Sequence, residues 1–225
     1  MTADGTRARP IQRWSVPPPP VDVGRLLRVQ GYRDLAKVRP AIRKAAERMA
    51  AAATGAASPE ACYRRVSIER LSGGRLELED GIAFQCPAFD RLLADAREVA
   101  VFVLTLGATF DAEVAAHLAR EELLEALLLE SAGWLTIERL TRQLGIHLRG
   151  ELAPQGFALG YRMGPGYSYR PLERQAVDRI NWPLEQQGEL FRVLAAAPLP
   201  VALNDSFAMR PKMSRSGLFG LVPVR

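Results

Sequence analysis

Val99-Ala100-Val101-Phe102-Val103-Leu104-Thr105-Leu106-Gly107 is the longest apolar stretch of this 225-residue chain. Apolar and β-branched residues fill both alternating sets of positions, so it reads as a strand buried on both faces in the middle of a sheet. It is about half of the ~18 residues that a bilayer-crossing helix needs. On its C-terminal side, Thr109 to His147 carries an Ala-, Leu- and Glu-rich helical pattern. Small residues at Ser131 to Gly133 mark where a kink or close packing is expected in that long element.

On its N-terminal side, apolar and polar residues alternate from Tyr63 to Leu71 and from Arg75 to Leu78 around Gly73-Gly74. This is the pattern of a hairpin of half-buried strands, which Ile82 and Phe84 extend. Further upstream, Val23, Leu26, Leu27 and Val29 sit at helical spacing before Gly31, and Pro40 opens a run of strong helix formers to Ala53. Residues 1–20 are polar and basic and end in Pro17 to Pro20, so they are expected to form an extended arm before one domain over residues 21–225.

After Pro154 the texture turns to Gly, Tyr, Pro and Arg, with short strands expected at Phe157 to Arg162, Val201 to Leu203 and Gly217 to Val222. Pro171-Leu172-Glu173-Arg174-Gln175 recurs as Pro183-Leu184-Glu185-Gln186-Gln187, two helix starts of which the second leads into Glu189 to Leu194. Short strands separated by helices indicate an α+β domain.

Hydrophobic residues make up 48% and charged residues 24%, the balance of a soluble globular protein rather than a disordered or membrane one. The N-terminus shows no apolar signal core, so a cytoplasmic location and no membrane partner are expected. Cys62 and Cys86 are too few for a disulfide scaffold, and with His117 and His147 they show no ligand-like spacing, so no metal site is expected. The net charge of +5 is unevenly placed: residues 1–50 hold eleven Lys/Arg against four Asp/Glu, and Arg210, Lys212, Arg215 and Arg225 close the chain. Such basic ends favour an anionic partner. Nucleic acid is not expected, because the chain has no helix-turn-helix, zinc-finger or ribonucleoprotein signature and only 7% aromatic residues for base stacking.

Two stretches could carry chemistry. In Tyr161-Arg162-Met163-Gly164-Pro165-Gly166-Tyr167, Gly-Pro-Gly fixes a tight path that lets a ligand approach the main chain. Arg162 offers a planar guanidinium for a carboxylate, and Tyr167 a ring and hydroxyl, which suits an amino-acid-like ligand. The alternative is an ordinary tight turn between strands. The second stretch, Leu203 to Gly217, mixes small, hydroxyl and basic residues whose donors could face a polar macrocycle or phosphate, or simply form a Ser-rich loop leading into a last strand. No Ser-His-Asp arrangement is legible, since both histidines lie in a helical pattern.

In this order and separation, the two stretches resemble the reactivation domain of cobalamin-dependent methionine synthase, the module that binds S-adenosylmethionine. That family's Arg-x-Ala-Pro-Gly-Tyr motif is similar to Arg162-Met163-Gly164-Pro165-Gly166-Tyr167. Its Ser-Phe-Ala-Met-x-Pro-x-x-Ser-x-Ser-Gly motif is similar to Ser206-Phe207-Ala208-Met209-Arg210-Pro211-Lys212-Met213-Ser214-Arg215-Ser216-Gly217. The likeness to smaller stand-alone relatives runs over about residues 21–223, through Leu26 to Tyr32, Val103 to Gly107 and Trp182 to Gln187.

The resemblance implies a central, mostly antiparallel twisted sheet flanked by helices. It also implies that Arg162 holds the ligand carboxylate, that the backbone at Gly164 and Gly166 meets its polar groups, that Tyr167 packs against it, and that Glu138 is an acid near the sulfonium. Trp134 falls where the full-length enzyme has a ligand-contacting glutamate, Glu130 and Glu138 being the nearest acids. A tyrosine that follows the second motif in the full-length enzyme would lie beyond Arg225. Ser206, Met209, Ser214, Ser216 and Gly217 are the implied corrin-facing residues.

The chain has no room for homocysteine-, folate- or cobalamin-binding domains and lacks the Asp-x-His-x-x-Gly motif that ligates cobalt, so the cobalamin is expected on a partner. The implied role is that of an accessory subunit of a split 5-methyltetrahydrofolate-homocysteine methyltransferase in methionine biosynthesis. It would support reductive methylation of cob(II)alamin with S-adenosylmethionine and an electron from a flavodoxin-like or ferredoxin-like donor. Reactivation of another corrinoid methyltransferase, or a non-catalytic S-adenosylmethionine-binding scaffold, stay open as alternatives.

Overall fold

The computed structural model describes residues 9–170 and 180–224. In chain order the elements are β1 (Gln12–Trp14), α1 (Val23–Val29), α2 (Pro40–Ala56), β2 (Glu60–Ser72), β3 (Arg75–Leu78), β4 (Ala83–Gln85), α3 (Phe89–Leu92) and β5 (Glu98–Thr105). There follow α4 (Ala108–Ala119), α5 (Leu123–Leu152), β6 (Phe157–Met163), β7 (Ser168–Tyr169), β8 (Ile180–Asn181), α6 (Gln187–Val193), β9 (Ala202–Leu203), β10 (Met209–Arg210) and β11 (Ser214–Pro223).

Every residue of β5 is buried, as an apolar run with no polar face requires. Its neighbours are β2 and β11 in the order β4-β3-β2-β5-β11-β6, all antiparallel, and β1 pairs with the part of β2 that β3 leaves open. The period of two sends Ala100, Phe102 and Leu104 into a core under α1, α2 and α5, and Val99, Val101 and Val103 into a second core with Phe84, Phe89, Trp182 and Leu190. The protein is thus a single α+β domain with helices on both faces of a mostly antiparallel sheet.

Local chemistry sets the helix boundaries. The Asp22 carboxylate accepts from the Arg25 amide at 2.6 Å to cap α1, and Pro40 supplies the first turn of α2. The helical stretch after β5 is divided at Arg120–Glu122, where Glu121 adopts φ 60°, and not at Ser131 to Gly133. Gly133 instead serves close packing: a Cβ there would stand 2.6 Å from Cζ of Phe110. Residues 12–14, read from sequence as extended arm, form β1 and bury Trp14. The first Pro-Leu-Glu repeat lies outside the described residues, and the second opens the turn Leu184–Gln186 into α6. Among the described residues no helix is long and apolar enough to cross a membrane.

Candidate functional site

The two motifs meet at the seam between β6 and β11. Arg162 pairs with Phe219 and Met163 with Leu218, which places Met163 on the Trp182 side of the sheet and Arg162 on the α5 side. Gly217 accepts no side chain, because a Cβ would run into the Met163 carbonyl oxygen, and a Cβ on Gly164 would stand 3.0 Å from the Ser216 carbonyl oxygen. The glycines of each motif therefore make room for the main chain of the other.

Beyond Met163 the chain turns through Gly164-Pro165-Gly166, with Gly166 at φ 80°. Trp182 holds the turn from the far side: its carbonyl accepts from the Gly166 amide at 2.8 Å, and its amide donates to the Tyr167 carbonyl at 3.1 Å. The Tyr169 hydroxyl accepts from the Gly164 amide at 2.8 Å and donates to the Gly164 carbonyl at 3.2 Å. Burial of that phenol pushes its pKa up to about 12. The amides of Gly164 and Gly166 are thus engaged within the protein, by Tyr169 and Trp182.

The side chains are differently placed. The Arg162 guanidinium carbon lies 5.2 Å from the centre of the Tyr167 ring, within cation–π range. Its Nη1 is buried and has no hydrogen-bond partner among the described residues. From β11, Arg215 reaches the same face of the sheet and donates from Nη1 to Glu138 of α5 at 2.6 Å and to the Thr141 hydroxyl at 3.3 Å, while its buried Nε has no partner among the described residues. The hydrogen bond from Arg215 holds the Glu138 carboxyl below its ordinary value, and the nearby charges of Arg162 and Arg142 act in the same direction. One carboxylate is thus shared among three arginines, which leaves a surplus of positive charge and, among the described residues, two guanidinium nitrogens without a hydrogen-bond partner. A cleft of about 400 Å³ lined by Arg25, Glu138, Arg139, Arg142, Gln143 and Ile146 lies against the same stretch of α5.

Arg162, Tyr167 and Glu138, named from sequence, therefore converge. Arg215 and Arg142 were missed, although an arginine between Ser214 and Ser216 in an otherwise small and apolar strand is a readable signal of a buried charge needing a partner.

The residues named as corrin-facing do not share one surface. Ser206 is exposed, in a loop where the Asn204 side chain accepts from the amides of Ser206 and Ala208 at 3.1 and 2.8 Å, and Met209 is half-buried in β10. Ser214, Ser216 and Gly217 are buried in β11. The Ser214 hydroxyl bonds Thr105 at 2.8 Å, and that of Ser216 donates to Gln187 Oε1 at 2.9 Å. These three residues lie inside the sheet, with Ser214 on the β5 side and Gly217 against Met163 of β6. His117 pairs with Glu122 at 2.7 Å and His147 lies 3.2 Å from the Tyr63 hydroxyl, both away from the arginine cluster.

No protein-family model matches this chain, and no curated protein matches it in sequence. Its fold is similar to that of the crystal structure of the MetH reactivation domain bound to AdoHcy. The TM-score is 0.67 at 15% identity, over 96% of this chain and 79% of that one.

Proposed function

We propose that this chain is a methyl-donor-binding module that reactivates a cobalamin-dependent methionine synthase whose cobalamin is carried by a partner protein. The observation that carries this reading is the buried, unpaired Nη1 of Arg162, held beside the Tyr167 ring at the junction of the two motifs. An unpaired buried guanidinium is costly, and a carboxylate is the group that relieves it with bidentate geometry. S-adenosylmethionine offers such a carboxylate next to a transferable methyl group, and the solved domain of the same fold is bound to AdoHcy, its demethylated product.

In the proposed reaction, one electron from a flavodoxin-like or ferredoxin-like donor reduces the partner's cob(II)alamin. The resulting nucleophile takes the methyl as a cation. The carbon–sulfur bond breaks with its electron pair left on sulfur, so AdoHcy departs neutral at sulfur. This chain's part is to hold the donor: Arg162 and Arg215 bind and orient the carboxylate end, Tyr167 packs against it, and Glu138 keeps Arg215 in place. Ser206, on an exposed loop, and the half-buried Met209 that follows it in β10 remain the candidate corrin-facing residues. The basic N-terminal residues fit an acidic electron donor.

Calorimetry with S-adenosylmethionine, on the wild type and Arg162→Ala and with or without a cobalamin-carrying methionine synthase chain, tests this. Saturable binding lost in Arg162→Ala is the expected result. Absence of binding in every combination overturns it. Binding without methyl transfer to reduced, partner-bound cobalamin moves the assignment to a non-catalytic scaffold.

A further inference from the structure

The chain's three tryptophans have unequal environments: Trp14 and Trp182 are buried, whereas Trp134 is 48% exposed. Trp134 lies one helical turn before Glu138 on the same face of α5, and one turn after Glu130. Both of those acids are engaged, Glu130 with Lys212 and Glu138 with Arg215.

The turn that follows β6 reaches the same level of α5. Leu159 packs at Gly145, and β6 runs back along α5 from there. Five residues of strand, from Leu159 to Gly164, advance about 16 Å. That equals the rise of about eleven helical residues, the separation from Gly145 to Trp134. Trp134 thus lies one turn along α5 from the carboxylate that Arg215 bonds, on the helix that packs against β6.

Resting on the methyl-donor reading of this site, we infer that Trp134 is the platform for the donor's sulfonium. The sulfonium lies four bonds from the carboxylate carbon, so a donor whose carboxylate is on Arg162 carries its positive sulfur within reach of the neighbouring helix. That positive centre needs an electron-rich partner in a cluster dominated by arginines. Both flanking carboxylates are already neutralised by cations, which leaves the face of the indole, the ring that attracts cations best. The arrangement discriminates by charge: once the methyl has left as a cation, sulfur is a neutral thioether and the ring's hold on it is lost. Trp134 is therefore a positioning and specificity residue whose effect falls on the charged donor and spares the product.

Paired titrations with S-adenosylmethionine and with AdoHcy, which lacks the charge, test this on the wild type, Trp134→Phe and Trp134→Ala, read by calorimetry and by tryptophan emission. Trp134→Ala is expected to weaken S-adenosylmethionine by about 5- to 30-fold while changing AdoHcy affinity less than about two-fold. Trp134→Phe should keep most of the discrimination, and the wild-type emission should change on binding. Equal losses for both ligands, or no loss for either, overturn the inference and leave the methyl-donor site standing. Failure of the wild type to bind either ligand overturns the site and the inference together.

Discussion

Gly217 approaches Met163 so closely that the carbonyl oxygen of Met163 occupies the space a Cβ on Gly217 would need. The β6–β11 seam, and with it the position of Arg162, depends on that contact. Gly217→Ala must push the strands apart, with an expected loss of about 1–3 kcal/mol and a loss of S-adenosylmethionine binding out of proportion to the loss of fold. Thermal denaturation and calorimetry on the same preparation check both parts. A variant that keeps wild-type affinity shows that the seam does not position the ligand.

Gly150 is the opposite case. It lies in α5 with open space where a Cβ would stand. Gly150→Ala is expected to raise stability by about 0.5–1 kcal/mol, seen as a higher midpoint in urea with an unchanged slope, and to leave ligand binding as it was.

The Tyr169 hydroxyl closes the Gly164 turn from both sides. Tyr169→Phe orphans the Gly164 amide and should cost about 1–3 kcal/mol. Because the phenol pKa is raised from 10.0 to about 12, its contribution is full below pH 10 and fades as pH rises through 12. The stability gap between wild type and Tyr169→Phe should therefore shrink across that window, as followed by denaturant titration at stepped pH. A gap that is constant with pH contradicts the assignment.

Arg215 holds Glu138 below its ordinary value of 4.5. A depressed acid stabilises the folded state above its unfolded pKa and stops doing so as pH falls through the folded one. Stability should drop below about pH 4.5 in the wild type, and Glu138→Gln should remove that part of the drop while costing about 0.5–1 kcal/mol at neutral pH. The value is small because the Glu138 side chain is 43% exposed. Denaturation midpoints measured from pH 3 to 7 decide it; parallel profiles for the two proteins refute it.

β5 was legible because an unbroken apolar run has one stable place in a sheet, its middle. The hairpin of β2 and β3 was legible because Gly73-Gly74 interrupts a period of two. The division of α4 from α5 was not, because the residue that takes the left-handed conformation is Glu121, which carries no local mark of it. β1 was hidden for another reason: three residues, Gln12–Trp14, are held by pairing with a strand 47 to 51 positions away, Trp14 with Ala61 and Gln12 with Tyr63, and nothing in a basic, proline-rich stretch encodes that.

At the candidate site, the glycine turn marked Arg162 and Tyr167, whereas Glu138 was named only through the family resemblance. The fate of Ser214 and Ser216 was not readable: a Ser-rich segment looks like loop until its partner strands are known, and here it is the spine of the sheet. The buried role of Arg215 likewise exists only once α5 lies across β11.

β11 sits between β5 and β6, and those two strands never touch each other. Neither the hairpin nor the long helix can assemble the arginine cluster without it, so β6 has no berth until β11 is seated. The arginine cluster therefore exists only in the fully assembled sheet. A single cut in the exposed stretch around Ser206 is expected to silence the proposed donor site while leaving most secondary structure intact, which would make donor affinity a stricter gauge of a complete native state than helix content.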